Sequence, residues 1–152
     1  MRTILSLLVC CFILSCQPKT TTTVESDAKE EQTSNELIGT AWKLTGMTFY
    51  EKDEYIMPPA TDKRGLNLQF VDGAKINARL TVNNCNATYT LNGENISITL
   101  GGCTKRCCDT KFGQDFWAVL GSAKTYKLNG KYLDIRGAEK ILKLEKFEMM
   151  NK

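Results

Sequence analysis

The chain has 152 residues, 42% of them apolar and 24% charged, with a formal net charge of +3, seven cysteines and no histidine. That length accommodates one domain with a real core. The lack of histidine rules out Ser-His-Asp and Cys-His catalysis, and the scattered lysines and arginines, with no stripe of stacking aromatics, argue against a nucleic-acid partner.

Arg2 gives a short positive start, and an apolar run from Ile4 to Leu14 follows, interrupted by Ser6. It falls short of the ~20 residues that a membrane-crossing helix needs and has the length of a secretory signal core. It ends in Ile13-Leu14-Ser15-Cys16, which resembles a bacterial lipobox. The resemblance implies a signal peptide over residues 1–15 and cleavage before Cys16. The Cys16 sulfur would carry diacylglycerol, and the new amino group an acyl chain such as palmitate. Two or more chains anchor stably where one does not. By the enteric sorting rule, Gln17 favours the outer membrane, on its periplasmic face or at the cell surface. Residues 16–36 are Thr-, Ser-, Glu- and Lys-rich, with Val24 the one large aliphatic before Leu37. Such a segment cannot bury enough surface to order itself. It reads as a flexible tether with ends on the order of 25 Å apart.

The domain is expected over residues 37–148. AWKLTGMTF (41–49) reads as a strand, and YEKDEYIMPPATDKRG (50–65) as a surface loop, because Pro58 and Pro59 exclude a central strand. Three hairpins come next. Leu66, Leu68 and Phe70 alternate up to Asp72-Gly73, then Ile76, Ala78 and Leu80. Tyr89 and Leu91 lead to Asn92-Gly93, then Ile96, Ile98 and Leu100. Tyr126 and Leu128 lead to Asn129-Gly130, then Leu133 and Ile135. Period-two alternation gives one buried face, and Asn-Gly or Asp-Gly accepts the positive φ of tight turns.

Between the second and third hairpins, Phe112, Phe116, Val119 and Leu120 recur at helical spacing. This predicts a helix near 110–120, capped by Asp109 or Thr110 and stopped at Gly121. Trp117 flanks its apolar face, and Gly113 weakens it by roughly 1 kcal/mol relative to alanine. KILKLEKF (140–147) adds a last strand, for about eight in all.

Leu37-Ile38-Gly39-Thr40-Ala41-Trp42-Lys43-Leu44 resembles the L-x-G-T-x-W-x-L opening of the META domain, found in heat-inducible bacterial envelope lipoproteins. Asn84-Cys85-Asn86-Ala87-Thr88-Tyr89 resembles its G-C-N block, with Asn84 in place of glycine. Thr104-Lys105-Arg106-Cys107-Cys108 resembles its T-x-M-A-C block, and Phe116-Trp117-Ala118-Val119-Leu120 its helix. The resemblance implies an α+β fold, a strongly curved antiparallel sheet wrapped around one helix. It also implies a link to heat and envelope stress, and it brings no catalytic residues.

Cys85, Cys103, Cys107 and Cys108 remain in the domain, an even number in an oxidising compartment, where disulfides are the default. The family alignment puts Cys108 on the family cysteine and so implies Cys85–Cys108 with Cys103–Cys107. Cys85–Cys107 with Cys103–Cys108 is the alternative, and a vicinal Cys107–Cys108 bond the least comfortable pairing. The rival chemistry is four thiolates on Cu(I) or Zn(II), which would make a metal-handling lipoprotein.

These readings describe a monomeric, non-enzymatic envelope module without a cofactor. Lipid would hold it to the membrane, where it supports outer-membrane integrity or stress tolerance by binding an envelope protein or lipid. Tyr50, Tyr55, Ile56 and Met57 in the 50–65 loop are the candidate partner surface, since tyrosines often anchor interfaces.

Overall fold

The computed structural model describes residues 36–60 and 64–148. The expectations for the signal peptide, Cys16 and most of the tether concern residues outside these, as do residues 61–63 of the loop.

The alternating residues form the strands expected of them. β1 (Ala41–Phe49), β3 (Asn67–Val71), β4 (Lys75–Arg79), β5 (Asn84–Asn92), β6 (Asn95–Cys103), β7 (Thr125–Asn129), β8 (Tyr132–Arg136) and β9 (Lys140–Phe147) are all antiparallel to their neighbours. The three hairpin turns place Gly73, Gly93 and Gly130 at positive φ. Leu68, Phe70, Ile76, Ala78, Tyr89, Ile96, Ile98, Leu133 and Ile135 turn inward to one core. The loop after β1 is less irregular than expected. It contains a ninth strand, β2 (Tyr55–Ile56), paired with Met47 and Thr48 at the end of β1.

β1 closes the sheet into a ring. One of its edges pairs with β9 along nearly its whole length, past an irregularity between Leu44 and Gly46. The other edge serves β3 at Ala41–Lys43 and β2 further on. The weak seam is between β6 and β7, which share the single pair Asn95 and Thr125 before diverging. Helix α1 (Lys111–Gly121) connects those two strands in sequence and packs on β6 and β9.

Phe116, Val119 and Leu120 carry the helix into the core, each contributing about 2 kcal/mol by burial. Trp117 and Phe112 are partly buried at its margin. Thr110 is the N-cap, accepting from the Gly113 N–H at 3.1 Å. Gly113 is there for space: a Cβ would lie 2.7 Å from the Thr81 hydroxyl oxygen. Asp115 pairs with Lys111 on the helix and, at 3.0 Å, with Lys140 on β9. These lysines outweigh the opposing effect of burial and hold its carboxyl below the usual range.

The opening motif is a lock on the ring. Leu37 is fully buried. The Thr40 hydroxyl donates to the Leu37 carbonyl and accepts from the Trp42 indole N–H at 2.7 Å. The Gly39 N–H donates to Phe70 O and the Phe70 N–H to Thr40 O, which fasten the segment to β3.

Candidate functional site

Two surface regions carry the residues singled out from sequence: the cysteine segment after β6, and the loop after β1.

The cysteine segment is organised by Asn83, which sits in the turn between β4 and β5 and is only 7% exposed. Its Nδ2 donates to Arg106 O at 2.8 Å and to Asp109 Oδ2 at 2.6 Å. Its Oδ1 accepts from the Arg106 N–H at 2.8 Å and the Thr104 hydroxyl at 2.9 Å. Both donors and both acceptor positions of the carboxamide are thus used. Asp109 reciprocates, accepting from the Val82 N–H at 2.8 Å and the Asn83 N–H at 3.2 Å. Burial pushes its pKa up, but these backbone donors and the Asn83 side chain outweigh it, leaving the carboxyl below the usual range. Asp109 therefore staples the 104–109 segment to the β4–β5 turn, and Thr110 alone caps the helix. Sequence analysis missed this role for Asn83 and Asp109. The available signal was the pair Asn83-Asn84 just before Cys85, with an aspartate immediately before the helix cap.

The cysteine pairing differs from the expectation. Cys85 is joined to Cys103, with their Cα atoms 4.0 Å apart, and Cys107 and Cys108 lie beside each other further along the chain. The expected Cys85–Cys108 and Cys103–Cys107 bonds are not those of the structure. The reason is register. The alternation marked β6 as ending near Leu100, but the strand runs on through Gly101 and Gly102 to Cys103, directly across from Cys85. Cys107 and Cys108 are left in the exposed segment beyond. Among the described residues, no group of three or more Cys, Asp or Glu side chains is placed to surround a metal ion.

The loop residues fall into two kinds. Tyr50 is 42% exposed, yet its hydroxyl donates to Gly137 O at 3.3 Å and its ring lies under the Arg136 guanidinium at 5.9 Å. It is in part a strut between the loop and the β8–β9 turn, beside a cavity of about 270 Å³ lined by Phe49, Tyr50, Glu51, Lys52, Ala138 and Glu139. Ile56 is half-buried in β2. Tyr55, 50% exposed, lays its ring over Gly46, and Met57 is 70% exposed. Tyr55 and Met57 are therefore the available contact groups, flanked by Glu51, Lys52, Asp53 and Glu54.

A ring of antiparallel strands, one helix at its seam and a stapled cysteine segment define a small all-in-one β-rich module. The chain belongs to the META domain family, whose model matches residues 35–147. Solved structures share the fold. One is a protein from Burkholderia xenovorans determined by NMR, 16% identical, covering 78% of this chain and 88% of its own, with a TM-score of 0.61. Another is a DUF4847 family protein from Bacteroides vulgatus, 12% identical, covering 74% and 96%, with a TM-score of 0.58. A comparison with curated proteins finds no match.

Proposed function

We propose that this chain is a lipid-anchored envelope module that works by binding, without turnover, and supports outer-membrane integrity or stress tolerance. The observation that carries the binding reading is the exposed pair Tyr55, on the short edge strand β2 and packed over Gly46, and Met57, just beyond that strand, both framed by charges. An aromatic anchor with a polar rim is the usual composition of a docking patch.

The shifts of Asp109, Asp115 and Tyr89 do not poise these three groups for catalysis. A general acid or base works best with a pKa near the ambient pH. Asp109 and Asp115 are moved the other way, by hydrogen bonds and by lysines respectively. Tyr89 is pushed up by burial and by the nearby Asp72 charge, which makes it a poorer base-forming group at neutrality. Anchoring rests on the lipobox resemblance at Cys16.

Two experiments test the proposal. Cys16→Ser should leave unprocessed or soluble protein in cell fractions; membrane recovery with normal acylation would refute the anchor. Crosslinking in envelope extracts should recover a partner with wild type that Tyr55→Ala/Met57→Ala loses while its unfolding stays cooperative and its Tm falls by no more than several degrees. Equal recovery by the variant would remove the loop from the reading, and a purified protein that turned over an envelope substrate would overturn the binding module.

A further inference from the structure

The outward face of β3, β4 and β5 has an unusual composition. In register across the three strands stand two rows, Gln69–Asn77–Asn86 and Asn67–Arg79–Asn84. All six side chains line one groove of about 500 Å³, which Thr104 bounds on the side of the cysteine segment. The next row on the same face, Val71–Lys75–Thr88, is ordinary strand surface. Asparagine is depleted in strands, where Thr, Val or Lys would serve a solvated face at less cost. Four asparagines in six adjacent positions break that rule together, with Gln69 as a fifth carboxamide beside them, and local rules are broken most often at functional sites.

We propose that this groove binds a saccharide that carries a carboxylate. Each carboxamide offers two donors and two acceptor positions, the same dual character as a sugar hydroxyl. Strand pleating spaces the groups about 4.8 Å apart across the sheet and about 7 Å apart along it, which suits successive hydroxyls of linked rings. The side chains of Asn67, Gln69, Asn77 and Arg79 form no hydrogen bond or ion pair among the described residues. Asn86 is pre-oriented: its Oδ1 accepts from the Gly102 N–H at 3.2 Å, which leaves its amino group to donate. Thr104 is fixed between Asn83 Oδ1 and the Asn84 N–H, so that wall is rigid.

The charge of the groove selects within the class. Arg79 is the one charged residue in the lining, no carboxylate opposes it, and Lys43 stands next in the row beyond Asn67. A guanidinium binds a carboxylate through two parallel bonds. One cation in a field of amides fits a ligand of many hydroxyls and few charges, and is too little for a polyphosphate. A peptide that binds by adding a strand needs a free sheet edge, and β3, β4 and β5 are each paired on both sides. The site is separate from Tyr55 and Met57, so its success or failure does not depend on the loop.

The test is a titration of the ¹⁵N-labelled full chain with trigalacturonate, its methyl ester, maltotriose and a hexapeptide of serine and alanine. Trigalacturonate should shift the side-chain amide resonances of Asn67, Gln69, Asn77 and Asn84 at millimolar concentration. The ester and maltotriose should bind about tenfold more weakly, the value of one charge-assisted bond. Arg79→Gln should weaken trigalacturonate about tenfold and leave the ester unchanged, while Asn77→Ala should weaken both. Both positions face outward, and an unchanged melting curve would show that the variants fold. No shift with any saccharide, shifts elsewhere on the surface, binding of the hexapeptide alone, or an Arg79→Gln variant that binds trigalacturonate as wild type does would each overturn the proposal.

Discussion

Removing the Asn83 carboxamide should be among the costliest single changes on this surface. Asn83→Ala deletes four hydrogen bonds of 2.6–2.9 Å, one of them to the Asp109 carboxylate. Neutral bonds contribute about 0.5–1.5 kcal/mol net and bonds to charge rather more. The freed groups of Thr104 and Arg106 lie in an exposed segment and regain water, which lowers the total. We expect a loss of about 3 kcal/mol, or on the order of 10 °C in Tm, read by urea and thermal unfolding. Limited trypsin digestion should cut sooner at Lys105 and Arg106, because the segment loses its staple. Asn83→Asp, nearly isosteric, puts a carboxylate oxygen where a donor faced Asp109. It should be worse than alanine at neutral pH and recover on acidification, since one protonated carboxyl can donate again. An Asn83→Ala protein within about 0.5 kcal/mol of wild type, with trypsin cutting at the wild-type rate, would refute the staple.

The remaining predictions concern the bonds and contacts around it. Asp109 has a depressed pKa in the folded protein, so its contribution is complete above the ordinary aspartate value and is lost as pH falls through the lower folded value; denaturation at a series of acid pH values should show that loss in wild type and less of it in Asp109→Asn. Trypsin under non-reducing conditions should release residues 80–105 and 107–111 as separate peptides, because Cys85 pairs with Cys103 and neither reaches the Cys107-Cys108 segment; a cross-linked pair of the two would refute that bond in favour of one of the two pairings weighed from sequence. Cys103→Ser/Cys85→Ala should cost about 3 kcal/mol in chemical unfolding, from the 18-residue separation that the bond closes, whereas Cys107→Ser/Cys108→Ser closes no such loop and should cost little. Gly46→Ala would drive a Cβ into the Tyr55 ring; the half-exposed ring should swing away, at about 1 kcal/mol, and the tyrosine fluorescence should become more quenchable.

Much of the fold can be read locally. Period-two alternation around Asp72-Gly73, Asn92-Gly93 and Asn129-Gly130 specified three hairpins and their buried faces, because a hairpin is decided by residues a few positions apart. The helix was legible for the same reason, from Phe116, Val119 and Leu120 at helical spacing with Thr110 ahead of them. The motif at Leu37–Leu44 was legible as a resemblance, although the Thr40 and Trp42 bonds that make it a lock appear only in three dimensions. What the tertiary structure decided lies across long separations. β1 joins β9 near the other end of the domain, and no periodicity in either strand names its partner. The two-residue β2 exists because Met47 and Thr48 leave an edge for it. The cysteine pairing turned on how far β6 runs: two further residues, Gly101 and Gly102, bring Cys103 opposite Cys85, and sequence spacing alone cannot count strand register. Asn83, Asp109 and the amide rows of β3–β5 belong to the same category. Each is an unremarkable polar residue in the chain, and each acquires its role from neighbours that a register or a turn brings beside it.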